Sequence, residues 1–167
     1  ADGAIVVSGA QNSTSTSAAI VTIARLNADG TLDDAFGTDG LAHLFTGGNP
    51  TRAAQVIIQP DGAILACGTA SPAANERDSY LCRVTSDGLA DASFGVNGEL
   101  IFGEVNLYRE TPCMALQPDG KVIVGGIDAG GGVVNTLLLR YGTDMSTSIS
   151  EPSKTDGIII RSTRPEG

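Results

Sequence analysis

A tripeptide that recurs at a fixed interval sets the terms on which this chain can fold. Pro60-Asp61-Gly62 returns as Pro118-Asp119-Gly120, and Ala1-Asp2-Gly3 is a truncated first copy, so the aspartates stand 59 and 58 residues apart. Two unrelated landmarks keep the same step. Arg25, Arg83 and Arg140 are spaced by 58 and 57, and Gly40, Gly98 and Gly157 by 58 and 59. A period held by three landmarks marks a repeat architecture, in which each copy is one supersecondary unit that buries its apolar surface against its neighbour. The 167 residues are therefore read as a single domain of three units, approximately 1–53, 54–111 and 112–167.

Each unit reads as short strands joined by turns. An apolar run follows each Asp-Gly and ends in glycine, at 4–9, 63–68 and 121–126. After a variable polar loop, a second run ends at the recurring arginine, at 20–25, 79–83 and 136–140. A third starts after the recurring glycine, at 41–45, 99–102 and 158–160, and a fourth leads into the next Asp-Gly, at 54–59 and 113–117. Aliphatic and β-branched residues bounded by Gly, Pro, Asn and Asp are the strand signal, and Asp-Gly between two such runs signals a hairpin. No segment sustains helical periodicity. The expected fold class is all-β. Four antiparallel strands per unit make one β-propeller blade, whereas a solenoid, with a repeat about half as long and no hairpins, fits worse. The first unit begins after its turn and lacks its initial strand, which leaves eleven strands. The glycine content follows from this plan. Of 22 glycines, nine fall in three columns: Gly3, Gly62 and Gly120; Gly9, Gly68 and Gly126; Gly40, Gly98 and Gly157.

Composition excludes several functions. Ten Lys and Arg against nineteen Asp and Glu give a net charge of −9, and the arginines are scattered, so nucleic acid is not an expected partner. No run approaches the ~18 apolar residues of a membrane-spanning helix. The chain opens on Ala1 rather than Met, as a processed or excised polypeptide would. Cys67, Cys82 and Cys113 show no Cys-x-x-Cys spacing, and His43 is the single histidine, so no zinc site is expected. The thiols read as small buried hydrophobes, with a Cys67–Cys82 pair across a hairpin left open.

The pattern Gln-Pro-Asp-Gly, strand, Gly, loop, strand ending in Arg, Asp-Gly, Asp-x-x-Phe-Gly, Gly resembles the bacterial delta-60 repeat. It is carried by Gln59-Pro60-Asp61-Gly62, Arg83, Asp87-Gly88, Asp91, Phe94-Gly95 and Gly98, and in the first unit by Arg25, Asp29-Gly30, Asp33, Phe36-Gly37 and Gly40. The resemblance implies a β-propeller array of a kind found in secreted or surface proteins, mostly without assigned activity. The third unit departs from the pattern: Met145 follows Asp144, and no Phe-Gly precedes Gly157.

Candidate sites are few. Asn27, Asp29, Thr31 and Asp33 alternate like the oxygen ligands of a calcium loop, and Ser86, Asp87 and Asp91 partly repeat them. The twelfth position after Asn27, where such a loop wants a bidentate glutamate, is Thr38. The aspartates are therefore expected to cap turns, with Asp33 and Asp91 pairing with Arg25 and Arg83. Calcium remains the one cofactor considered. Arg25, Arg83, Arg140, Asp61, Asp119, Gly62, Gly120, Phe36 and Phe94 are read as structural. His43 has no Gly-x-Ser-x-Gly elbow beside it, and Gly130-Gly131-Gly132 lies between strands rather than before a helix.

Two functions are consistent with these readings. The first is a non-catalytic binding or interaction scaffold, outside the cytoplasm, that presents the variable loops at 11–18, 69–78 and 128–134. The second is a metal-dependent hydrolase or lactonase acting at a channel mouth, where Asn49 and Asn106 precede the innermost strands. Three blades do not close a ring, since propellers take about four to eight. The expected partner is a second copy, completing a six-bladed ring, or further repeats of a longer chain. The acidic balance suits a secreted, periplasmic or cell-surface location.

Overall fold

The computed structural model describes residues 3–12, 19–44, 51–71, 77–102, 108–130, 132–142 and 158–160. They form eleven strands and, among the described residues, no helix. The first sheet holds β1 (Ile5–Asn12), β2 (Ala19–Leu26) and β3 (Leu41–Leu44). The second holds β4 (Thr51–Ile58), β5 (Ile64–Ala70), β6 (Asp78–Val84) and β7 (Glu99–Phe102). The third holds β8 (Tyr108–Leu116), β9 (Val122–Gly130), β10 (Val133–Tyr141) and β11 (Ile158–Ile160). Every sheet is an antiparallel meander in chain order, one per unit, and the first lacks the strand that precedes its hairpin. The array is all-β and unclosed.

Two kinds of turn explain two of the three glycine columns. In Gln59-Pro60-Asp61-Gly62 the Gly62 amide donates to the Gln59 carbonyl at 2.9 Å, and the Asp61 carboxylate accepts the Ala63 amide at 3.0 Å. Gly62 sits at φ +87°, where a side chain is strained. The Gln117–Lys121 turn repeats this, with Asp119 accepting the Lys121 amide at 3.1 Å. Ahead of the third strand, Asp39-Gly40 and Asn97-Gly98 each take φ values of +52° and +84°. Two successive positive φ values define the tight hairpin turn whose twist matches its strands.

The sequence expectation fails at the second glycine column. Gly9, Gly68 and Gly126 do not end their strands; β1, β5 and β9 continue to Asn12, Ala70 and Gly130. Likewise β4 and β8 begin at Thr51 and Tyr108, ahead of the expected 54 and 113. One cause accounts for both. Each inner strand carries a bulge, between Ala53 and Gln55 in β4 and between Glu110 and Cys113 in β8. A Cβ on Gly68 would lie 1.8 Å from the Arg52 carbonyl oxygen, and one on Gly126 would lie 1.7 Å from that of Glu110. Glycine here makes room for a bulged neighbour. The bulge in turn admits Pro112, which has no amide to give a ladder.

Neighbouring sheets approach along their inner strands, β4 against β1 and β2, and β8 against β4, β5 and β6. The second sheet is covered on both faces. Ile64, Ala66, Tyr80, Cys82 and Val84 pack on Val21, Ile23, Phe36, Ala42 and Leu44 of the first sheet. Leu65, Cys67, Leu81 and Phe94 pack on Met114, Val122, Val124 and Tyr141 of the third. Alternate residues of β5 and β6 thus enter different cores, as the period of a strand requires. This register settles the thiols. Cys82 pairs with Ala66 and Cys67 with Leu81, so the two cysteines enter opposite faces, and all three cysteines are free.

Candidate functional site

The repeated motifs converge on one end of the sheets, where the second strand passes into the third. Arg25 Nε lies 3.2 Å from Asp33 Oδ2, and Arg83 Nε lies 2.6 Å from Asp91 Oδ2. Each pair is held twice, because the arginine carbonyl also accepts the aspartate amide, at 3.0 and 3.1 Å. Arg83 is the better enclosed. Its Nη2 donates to Ser93 Oγ at 2.9 Å, and its guanidinium lies 5.2 Å from the Phe94 ring centroid. Burial alone would raise the Asp91 carboxyl, but the Ser93 hydroxyl and amide together with Arg83 outweigh it and hold it below the usual carboxylate range. Arg140 holds the corresponding position in β10, opposite Ile123. The third unit's Asp144, Met145 and Gly157 lie outside the described residues.

Asp29, Asp87 and Asp119 serve local turns. Asp29 accepts the Thr31 hydroxyl at 2.7 Å and its amide at 3.0 Å, which lowers its pKa. Asp87 accepts the Thr85 hydroxyl. Asp119 is lowered by the Lys121 amide and ammonium, the latter at 3.2 Å. Among the described residues, no cluster of three or more His, Cys, Asp or Glu side chains is placed to hold a metal ion. His43 is exposed on β3, with Nδ1 3.1 Å from Thr22 Oγ1. Asn49 and Asn106 lie outside the described residues.

Two arrangements were not expected from the sequence. The first is a clasp between sheets. Gly37 of the first Phe-Gly donates its amide to the Asp87 carbonyl of the second unit's Asp-Gly at 2.8 Å. Arg25 Nη1 donates to the neighbouring Ser86 carbonyl at 3.2 Å. Gly88 is pressed so close that a Cβ would lie 2.6 Å from the Gly37 nitrogen. The first unit's Phe-Gly and the second unit's Asp-Gly are therefore two halves of one contact. The signal for it was the pairing of these motifs across successive copies.

The second arrangement lies at the opposite end, beside the loops. Arg77 Nη1 donates to Glu110 Oε1 at 2.9 Å and stands 5.0 Å from the Tyr108 ring centroid, while Tyr108 donates its hydroxyl to the same Glu110 oxygen at 2.8 Å. Arg109 Nε donates to Asp128 Oδ1 at 3.1 Å, and its amide binds the Arg77 carbonyl at 2.7 Å. None of this chemistry repeats. One period earlier, Arg77 corresponds to Ala19, Glu110 to Arg52 and Asp128 to Ala70.

A family model described as a domain of unknown function (DUF5122), beta-propeller, matches residues 1–36, 59–94 and 117–144. No curated protein matches the chain. The three matched segments run from the Gln-Pro-Asp-Gly hairpin, or its truncated copy, to the clasp; the first two stop at Phe36 and Phe94, and the third, which lacks Phe-Gly, stops at Asp144.

Proposed function

The chain belongs to the DUF5122 β-propeller family, and from that premise we propose that it is a non-catalytic binding scaffold working outside the cytoplasm. One contrast within the chain carries the reading. The turn end is shared by the first two units and its repeated carboxylates are committed to turns and arginines, whereas the loop end differs from unit to unit and gathers Arg77, Tyr108, Arg109, Glu110 and Asp128. A frame that repeats and an end that varies divide the work as scaffold and recognition surface usually do.

We further propose that the array is continued, by a second copy completing a ring or by further blades. The apolar face of β1 supports this. Ile5 and Val7 are 49% and 46% exposed, although one period later Ile64 and Ala66 are buried against a neighbouring sheet. Light scattering on the full chain at micromolar concentration is expected to give a mass above 16.9 kDa; a stable monomer would exclude the second copy.

The scaffold reading is tested by melting the chain with and without saturating calcium, alongside an assay with a simple aryl ester and a lactone. No shift in Tm and no turnover above buffer are expected. A clear rise in Tm with hydrolysis dependent on calcium would replace the scaffold by the hydrolase.

A further inference from the structure

The turn between β6 and β7 carries the single Asn-Gly step in the sequence, Asn97-Gly98. Both residues have positive φ, +52° and +84°. Asparagine tolerates this region better than most residues, which suits it to the turn. Val96 and Glu99, on either side, exchange backbone hydrogen bonds at 2.8 and 3.1 Å, and the Gly98 amide donates to the Phe94 carbonyl at 3.0 Å. The glycine is required by packing as well as by conformation. A Cβ on it would lie 2.9 Å from the Arg83 carbonyl oxygen and 3.0 Å from the Asp91 nitrogen. The same missing Cβ leaves the Gly98 nitrogen unhindered as a nucleophile toward the side-chain amide before it. The fold therefore holds a chemically labile pair at a place where it cannot dispense with the glycine.

We infer that Asn97 is a site of spontaneous deamidation that the closed turn holds off, so that each local opening of the β6–β7 connection exposes the chain to an irreversible change. The Gly98 nitrogen loses its proton and attacks Asn97 Cγ. The Cγ–Nδ2 bond breaks, Nδ2 leaves as ammonia, and a cyclic succinimide remains. Water then opens the ring at either carbonyl. One opening gives aspartate; the other gives isoaspartate, in which the main chain runs through Cβ and Cγ. In the closed turn the Gly98 N–H is engaged by Phe94, and its nitrogen cannot swing onto Cγ while Val96 and Glu99 remain paired. Reaction therefore waits on local unfolding. The two products differ in fit. Asp39 holds the same position in the first unit at the same φ of +52°, followed by Gly40 at +84° with its amide bound to the Phe36 carbonyl at 3.0 Å. Aspartate at position 97 closes the turn in the same way. Isoaspartate lengthens the main chain and displaces Gly98 from Arg83, whose amide donates to the Gly98 carbonyl at 2.8 Å. It also shifts Glu99 against its partner Cys82 and away from the Tyr80 hydroxyl. Tyr80 and Cys82 belong to the core between the first two sheets, so the damage reaches inward. For those molecules opening becomes permanent. The inference concerns a turn rather than the loops, and it stands apart from the scaffold reading.

The test ages the full chain in mildly alkaline buffer, with and without urea, and follows Asn97 by peptide mapping that separates aspartate from isoaspartate. Conversion is expected to be at least about tenfold slower in the folded chain than in urea. After removal of urea, the aspartate fraction should regain the original urea midpoint and the isoaspartate fraction should unfold earlier. Freshly made Asn97→Asp should match the midpoint of the unaltered chain. Asn97→Gly accepts the positive φ without offering a side-chain amide, and it should refold fully after the same ageing. The inference is overturned by equal rates in buffer and urea, or by an isoaspartate fraction as stable as the original. Failure of fresh Asn97→Asp to fold, or loss of refolding in aged Asn97→Gly, would overturn it equally.

Discussion

The first and second sheets are copies of one repeat, and comparing them separates what a sequence motif supplies from what its neighbours supply. Both have the strand glycine, the terminal arginine with its aspartate, and Phe-Gly. In the second sheet β5 and β6 are buried on both faces, with Ile64 and Leu65 each 2% exposed. In the first, β2 alternates between buried and half-buried residues. The arginine pair follows the same trend. Arg83 and Asp91 are 9% and 16% exposed, against 26% and 19% for Arg25 and Asp33. Equal motifs are therefore unequal contributors to stability, because enclosure decides how strongly a charge pair is screened and how much area leaves water.

The comparison breaks most sharply at the strand glycine. Gly68→Ala and Gly126→Ala drive a methyl group into a backbone carbonyl and should cost more than about 3 kcal/mol in urea unfolding, a value that points to overpacking. Gly9→Ala should be neutral or stabilise by up to about 1 kcal/mol, since an alanine in a compatible conformation restricts the unfolded chain. Equal losses at the three positions would remove the bulge as the explanation.

Next come the aspartates. Asp91→Asn, with Arg83 left enclosed, should cost about 1.5–3 kcal/mol, and Asp33→Asn less than about 1 kcal/mol. The Asp91 carboxyl is depressed in the folded chain. The stability it contributes is present above its unfolded value near 3.8 and is lost as pH falls through the lower folded value. Asp91→Asn should therefore flatten the acid limb of a pH–Tm curve.

Glu99 carries the opposite sign. Burial raises its pKa above the ordinary 4.5, although the Tyr80 hydroxyl, donating at 2.6 Å, pulls the other way. Its contribution is present below 4.5 and lost as pH rises through the folded value. Glu99→Gln retains an acceptor for Tyr80, so Tm should rise at neutral pH and stay level at pH 4.

The smallest effect is chemical. Burial pushes the thiols of Cys67 and Cys82 up to about 12, so the middle sheet should offer no reactive thiolate, while the third sheet exposes Cys113. A disulfide reagent should label one thiol in the native chain and three in urea.

Local chemistry made most of the frame legible. Asp61-Gly62 and Asp119-Gly120 hold their turns through contacts two or three residues apart, and the Arg83–Asp91 pair spans eight. Such spacings repeat visibly. What Gly68 faces is Arg52, sixteen residues back across a ladder, and a lone glycine says nothing of that partner, so the strands looked shorter than they are. The Gly37–Asp87 clasp spans fifty residues, and the Arg77–Tyr108–Glu110 cluster follows no period at all. The sequence readily announces what recurs. The loop end is particular to each unit, and a single chain offers nothing with which to compare it.

The seams between sheets join residues made far apart in time. The Thr111 hydroxyl donates to the Gly68 carbonyl at 2.8 Å, and the Ser86 and Asp87 carbonyls receive Arg25 and Gly37. In both seams the later partner belongs to the next sheet along the chain. During synthesis the first sheet stays half-dressed until Asp87 has left the ribosome, and the second until Thr111 has. Folding during synthesis is therefore expected to complete each of the first two sheets only once the residues that cover it have emerged.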